Sequence, residues 1–269
     1  MRRTPFLLTA TAVTAVTATM ALTGGSAFAG STGGQASPTK PADVHLAKGA
    51  TLQQIQAAAA TDISDRVTAL NTAIGKVKAA TFLGSDQAVL LTMLQSDVTG
   101  LQQLGQTIAA DTTSSAAVAD LKQMYTNFRV YALALPVAGR VSHDDRIASV
   151  VAPRLTKVAA RIASKETSAN QAQVGPLLSD LASHVSAATS AVNGDVATLE
   201  GYTPAGWNAD HSLLAASKAA TASAVSDLTT ARSDAKQAAA DVGLKGGRGT
   251  NGANPTTSTP ATAPTGATA

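Results

Sequence analysis

The chain contains no cysteine, which excludes disulfide bonds and thiolate metal sites. Charged residues make up only 14% of the sequence and aromatic residues only 3%. This number of aromatic side chains is too small for a typical globular core or for a surface that stacks on carbohydrate. We therefore expect a fold that is stabilised by the burial of apolar side chains alone.

The sequence also lacks the patterns that identify common catalytic and metal sites. It has two glutamates, whereas ferritin-like metal bundles need several glutamates and a Glu-x-x-His pair. It has no His-Glu-x-x-His, no Gly-x-Ser-x-Gly, no phosphate-binding glycine loop and no EF-hand. The histidines are isolated from one another in sequence: His45, His143, His184 and His211. We predict that the protein is not an enzyme and has no cofactor and no metal.

Residues 1–29 have the organisation of a cleavable signal peptide. Arg2 and Arg3 precede an uncharged stretch, residues 6–22. Small residues at the positions that signal peptidase reads predict cleavage between Ala29 and Gly30. Threonines dilute the apolar stretch, and this disfavours an uncleaved anchor, which needs roughly 20 strongly apolar residues. We predict a secreted protein, extracellular or in the cell wall, with no stable membrane span after cleavage.

Removal of this segment changes the charge balance. The chain has 20 Lys and Arg against 17 Asp and Glu, and without Arg2 and Arg3 the count is 18 against 17, a net charge of +1. The basic isoelectric point therefore does not identify a nucleic-acid binder, and we expect no nucleic-acid partner.

Two further segments have the composition of disordered chain. Residues 30–49 are rich in Gly, Ser, Pro and Thr, and residues 246–269 repeat Thr-Pro and Ala-Pro units. Such segments bury too little apolar surface to offset the entropy of ordering them. We predict a disordered linker, a folded domain over 50–245, and a disordered low-complexity tail.

Within 50–245, apolar residues recur every three or four positions, which indicates helices with one buried face. The pattern breaks near 84–86, 111–115 and 202–206. Pro136 predicts a kink or stop near Leu135, because proline removes a helical hydrogen bond. Narrow, alanine-rich stripes favour coiled-coil-like packing, and short connections favour antiparallel neighbours. The predicted fold is an all-α, up-and-down antiparallel bundle of five or six helices; its oligomeric state stays open.

The basic residues are concentrated in the middle of the domain. Residues 122–165 contain eight bases and two acids, whereas 51–121 and 171–245 each have an excess of three acids. Arg154, Lys157, Arg161 and Lys165 project about 75° from the apolar stripe of their helix, where interhelical ion pairs form in coiled coils. The two interpretations are ion pairing with the acidic helices, which we favour, and a basic face for an anionic partner.

One patch combines aromatic, basic and acidic residues near the break at Pro136, and a second short motif surrounds Trp207. Aromatic rings beside Arg, His and Asp can line a ligand site; the simpler interpretation is that the rings fill the core and the charges pair. The second motif predicts that Trp207 packs over the last interhelical loop and that Asn208 or Asp210 caps the final helix. The candidate ligand or interaction residues are Tyr125, Phe128, Arg129, Tyr131, Arg140, His143, Asp144, Asp145 and Trp207.

At these two places the chain resembles a known group. Phe128-Arg-Val-Tyr-Ala-Leu-Ala-Leu-Pro136 and Trp207-Asn-Ala-Asp-His211 are similar to segments of uncharacterised secreted, Ala/Thr-rich helical proteins of high-GC Gram-positive (actinomycete-type) bacteria, where Tyr often stands at the position of Trp207. The resemblance covers about residues 50–245. It implies export and an all-helical fold, and it brings no activity, cofactor or catalytic residue.

These observations favour a secreted or cell-envelope-associated helical protein that acts as a structural or interaction module. Its partners would be cell-wall or envelope components or another protein. The first alternative is a small-ligand-binding or weakly enzymatic domain that uses the patch between Tyr125 and Asp145. The second is a binder of anionic wall polymer or nucleic acid through the basic segment 122–165.

Overall fold

A computed structural model describes residues 49–244. The predicted signal peptide with its cleavage site, almost all of the linker, and the tail lie outside these residues. In the described part, eight α-helices follow one another with no strand. A π-helical turn joins the fourth helix to the fifth, so there are six long helical segments and one short helix, and the predicted all-α bundle is confirmed. The helices are α1 Leu52–Ala79, α2 Asp86–Ala110, α3 Ser114–Gln123, α4 Leu135–Arg146, α5 Ala152–Ala163, α6 Gln171–Glu200, α7 Pro204–Ala209 and α8 Leu213–Asp241.

The pair α1 and α2 shows how short loops set antiparallel packing. Gln56, in the first turns of α1, donates to the Ile108 carbonyl at the end of α2 (3.0 Å). Gln87, at the start of α2, donates to the Val77 carbonyl at the end of α1 (2.9 Å). The last carbonyls of a helix have no partner within it, and here each helix supplies the missing donor for the other. The loop over 80–85 therefore joins two antiparallel neighbours.

Pro136 predicts a kink or stop near Leu135, but the helical path stops at Arg129 and continues through Leu135. Arg129 has left-handed backbone angles (φ 42°, ψ 39°), which end the helical path of α3. A π-helical turn over Val130–Ala134 then leads directly into α4, and the Leu135 amide donates to the Val130 carbonyl. This wider turn accommodates Pro136, whose ring would clash with the carbonyl four residues earlier in a regular α-helix.

The same arrangement recurs where α4 meets α5. A π-helical turn over Ile147–Val151 precedes Pro153, and the Ala152 amide donates to the Ile147 carbonyl. The helical path therefore continues from 130 to 163 through two prolines. We call this path the central helix.

The apolar residues form two separate cores along the central helix. Core 1 joins α1, α2 and α3 to the first half of the central helix and the end of α6, with Leu70, Leu94 and Leu101 fully buried. Core 2 joins α5 to α6 and α8. It is rich in alanine, and its best-buried large side chains are Ile147, Ile162 and Leu181. Burial of such a side chain stabilises the fold by about 1.5–3 kcal/mol.

Candidate functional site

The nine candidate residues are distributed among several contacts of the bundle. The Tyr125 hydroxyl donates to Asp62 Oδ2 of α1 (2.7 Å). The Arg66 guanidinium lies over both tyrosine rings, 5.0 Å from the ring centre of Tyr125 and 5.5 Å from that of Tyr131. Arg66 and Asp62 are themselves buried and form a salt bridge (3.5 Å). Burial raises the pKa of the Tyr131 hydroxyl, and the nearby Arg66 charge opposes this shift.

Phe128 and Arg129 hold the break between α3 and the central helix in place. The Phe128 ring covers Gly100 of α2 so closely that a methyl group at Gly100 would lie 2.5 Å from Phe128 Cε1. Arg129 Nε donates to Asn208 Oδ1 (2.7 Å), and Asn208 Nδ2 donates to the Thr126 carbonyl (2.8 Å). The left-handed conformation of Arg129 is thus fixed from both sides.

These contacts bring together the two motifs that carry the family resemblance. Asn208 does not cap the final helix, because its side chain is bonded to Arg129 and Thr126. Asp210 instead accepts from the Ser212 amide just before α8 (2.8 Å). Trp207 packs against core 1 and makes an edge contact with His211 (5.6 Å between ring centres). Both motifs therefore have a structural role at one junction.

Substitution of Asn208 tests this junction. Asn208→Ala removes the two hydrogen bonds that hold Thr126 and Arg129, at an exposed site where each is worth about 0.5–1.5 kcal/mol. We expect a lower free energy of unfolding by about 1–2 kcal/mol, measured by urea denaturation. The matched control is Asn127→Ala, whose exposed side chain bonds only the neighbouring Thr126 hydroxyl. Equal losses for the two variants would contradict the proposed clamp.

The remaining candidates on α4 lie in a buried polar layer between the two cores. Asp144 is completely buried, and the Thr221 hydroxyl of α8 donates to its Oδ1 (3.1 Å). Ser217 Oγ of α8 donates to Asp195 Oδ2 of α6 (2.6 Å), and Arg140 Nη1 donates to Ser217 Oγ (3.4 Å). Burial and a hydrogen bond with Asp195 raise the pKa of Asp144 to about 7.

Asp145 faces two other carboxyl groups. Burial, the charge and hydrogen bond of Asp86, and the charge of Glu200 together raise its pKa to about 7. Its Oδ2 atom and Oε1 of Glu200 are buried and have no hydrogen-bond partner within residues 49–244. The pKa of Glu200 is raised by burial and by Asp86. His143 on the same helix has its pKa lowered by burial and by the Arg146 charge.

Several partners of these residues are not among the nine sequence-predicted candidates, although their spacing carries a signal. Asp62 and Arg66 occupy helical positions between Ala59 and Leu70, in line with the buried stripe of α1. Asp195 likewise lies between buried apolar residues of α6. A charged side chain on an apolar stripe is the feature to search for, because burial forces it to find a partner.

The structure does not gather the nine candidates around one cavity. A shallow depression of about 430 Å³ lies beside the start of α3, and none of the nine lines it. Its larger lining side chains are Ile55, Val118 and Lys122. In residues 49–244, no three His, Asp or Glu side chains could hold a metal ion. Within the same range, no helix is both long and apolar enough to cross a membrane.

The basic residues of 122–165 make no ion pairs with the acidic helices. Among the described residues, none of the eight forms a salt bridge with a carboxylate, so the predicted pairing is not found. Arg129 and Arg140 bind the neutral acceptors Asn208 and Ser217. Four of the others form what we call the basic stripe, exposed along α5 and the turn after it: Arg154, Lys157, Arg161 and Lys165.

Fold and site together define an all-α protein with two apolar cores, a buried carboxyl layer and an exposed basic stripe. Comparison with protein-family models, curated proteins and solved structures finds no match to this chain. The resemblance to secreted proteins of high-GC Gram-positive bacteria therefore stays a prediction.

Proposed function

We propose that the protein is an exported interaction module of the cell envelope, which binds an anionic envelope polymer through the basic stripe. The observation that carries this proposal is the absence of carboxylate partners for the stripe within residues 49–244. Export itself rests on the signal-peptide pattern of residues 1–29.

The geometry of α5 supports binding to an extended polyanion. Leu155 and Ile162 of this helix are buried in core 2, so the helix is fixed in orientation. The basic stripe occupies an exposed face, with steps of three or four residues that place the charges side by side along the helix axis. A row of unpaired cations on a rigid helix attracts a chain of phosphates or carboxylates in a salt-dependent way.

The test is co-sedimentation of the chain beginning at Gly30 with purified cell walls that retain or lack their anionic polymers. Raising the salt from 50 to 200 mM should weaken binding of the wild type about 100-fold if about four ionic contacts form. Replacing the four stripe residues by Gln should weaken binding at 50 mM salt and remove most of this salt dependence. The matched control replaces four exposed bases elsewhere by Gln and changes the net charge equally: Lys76, Lys78, Lys218 and Lys236.

Three results would contradict the proposal. The first is no binding to any envelope fraction. The second is an equal loss in both quadruple variants, which would show that net charge alone acts. The third is binding to DNA that is as tight as binding to walls, which would favour the nucleic-acid alternative.

A further inference from the structure

The buried polar layer lies where three helices pass from core 1 to core 2. On the central helix, Val141 belongs to core 1 and Ile147 to core 2, and Asp144 and Asp145 lie between them. On α6, Asp195 follows Val192 of core 2 and precedes Leu199 of core 1. On both helices, the polar residues of the layer therefore lie between the part that packs in core 1 and the part that packs in core 2.

The third helix shows the same change of core. On α8, Leu214 packs against core 1 and Ala224 belongs to core 2. Between them lie Ser217 and Thr221, whose hydroxyl groups donate to Asp195 and Asp144. Each helix thus contributes a hydrogen-bonding side chain to the layer.

The layer contains more carboxyl groups than cations that could neutralise them. Asp144 faces Asp195, with Arg140 as the nearest base. Asp145 faces Asp86 from α2 and Glu200 from α6. On α4 itself, His143 and Arg146 lie beside the pair, and the hydroxyls that α8 contributes are neutral. The charged pair of α1, Asp62 and Arg66, is engaged with each other and with tyrosines.

Few donors reach these two carboxyl groups within residues 49–244, so burial favours their neutral forms over their ionised forms. Thr221 donates to Asp144 Oδ1 (3.1 Å), and Asp195 is the neighbouring carboxyl that hydrogen-bonds with protonated Asp144. Asp145 Oδ2 has no hydrogen-bond partner among the described residues, and a buried ionised oxygen without a donor is costly. We propose that this layer is a proton-controlled joint, in which protonated Asp144 and Asp145 hold the two cores in register and their ionisation loosens the joint.

The sign of the pH effect follows from proton linkage. The pKa of each aspartate is about 7 in the folded chain, against an ordinary value of 3.8, so the folded state binds more protons between these values. Stability is then highest at low pH and falls as pH rises from about 4 to about 7, with no further loss from these groups above that.

Hydrogen exchange and urea unfolding between pH 5 and 8 test the joint on the purified chain beginning at Gly30. After correction for intrinsic exchange rates, protection from exchange should be at least tenfold lower at pH 8 than at pH 5 for three groups of amides: 140–147, 195–200 and 217–221. Amides around Leu70 in core 1 should change less. The double variant Asp144→Asn/Asp145→Asn cannot ionise there, so both the urea midpoint and the protection of the joint should lose most of their pH dependence.

Two further measurements distinguish this joint from a general effect of pH. Asp180→Asn removes an exposed carboxyl from α6 and should leave the pH profile unchanged. If the double variant does not fold, ¹³C NMR titration of the wild-type carboxyls decides: titration of Asp144 and Asp145 near pH 7 supports the joint. Titration of both near pH 4, or equal protection at pH 5 and 8, would overturn it.

Discussion

Replacing Arg66 by methionine is expected to lower the free energy of unfolding by about 3–5 kcal/mol, the usual cost of leaving a buried charge without its partner. Arg66 is 6% exposed and Asp62 is 4% exposed, so water cannot replace the lost guanidinium. Asp62 would keep only the Tyr125 hydroxyl as a donor. Tyr125 and Tyr131 would also lose the cation between their rings.

Companion variants separate the contributions at this site. The double variant Asp62→Leu/Arg66→Met should recover most of the loss, because well-packed apolar residues often replace a buried ion pair without cost. Lys76→Met, at an exposed position of the same helix, should stay within about 0.5 kcal/mol of the wild type. Urea denaturation gives all three values. A loss below about 1 kcal/mol for Arg66→Met would mean that Asp62 is not a buried charge.

Replacing Gly100 by alanine is expected to destabilise the protein by about 1–3 kcal/mol, as overpacking of a well-filled contact does. The added methyl group would lie 2.5 Å from Phe128 Cε1 and 2.9 Å from Cζ. The ring cannot easily move aside, since Arg129, the next residue, is held by Asn208. Replacing glycine by alanine inside a helix usually raises the free energy of unfolding, whereas at position 100 we expect it to lower that free energy.

The control for this prediction is Gly75→Ala in α1, where a methyl group meets nothing within 4 Å. That variant should stabilise the protein by about 0.5–1 kcal/mol through backbone entropy and helix propensity. Adding Phe128→Leu to Gly100→Ala should recover part of the loss by making room. Thermal or urea unfolding of the four proteins compares them directly. Equal stabilisation by both glycine replacements would show that Phe128 is free to move.

The helices could be predicted from the sequence because their buried faces repeat at a helical period. Leu90, Leu94 and Leu101 are buried in α2, as their spacing predicts. The break at Arg129 could not be predicted, because the proline that dominates the local pattern is accommodated by a π-helical turn. Whether a helix forms a π-helical turn depends on all residues of that turn and on the helices packed against it. The position of a proline alone does not contain this information.

The candidate site could be predicted only in part. Asp144, Asp145 and Arg140 were identified from their local concentration of charge. Their partners Asp195 and Ser217 come from helices far along the chain, and no spacing rule links them. The ion pairs expected for the basic stripe failed for a related reason: an angle on one helix does not determine which residue of another helix lies opposite.

The chain contributes to the two cores in alternation, and this limits how the protein can be cut into fragments that fold. The chain builds core 1 up to Val141, enters core 2 at Ile147, and returns to core 1 with Val196 and Leu199 near the end of α6. It then crosses once more, so that α8 completes core 2. No single cut of the backbone yields two fragments that each contain a whole core. A truncation at any interhelical loop would therefore expose apolar surface on both fragments.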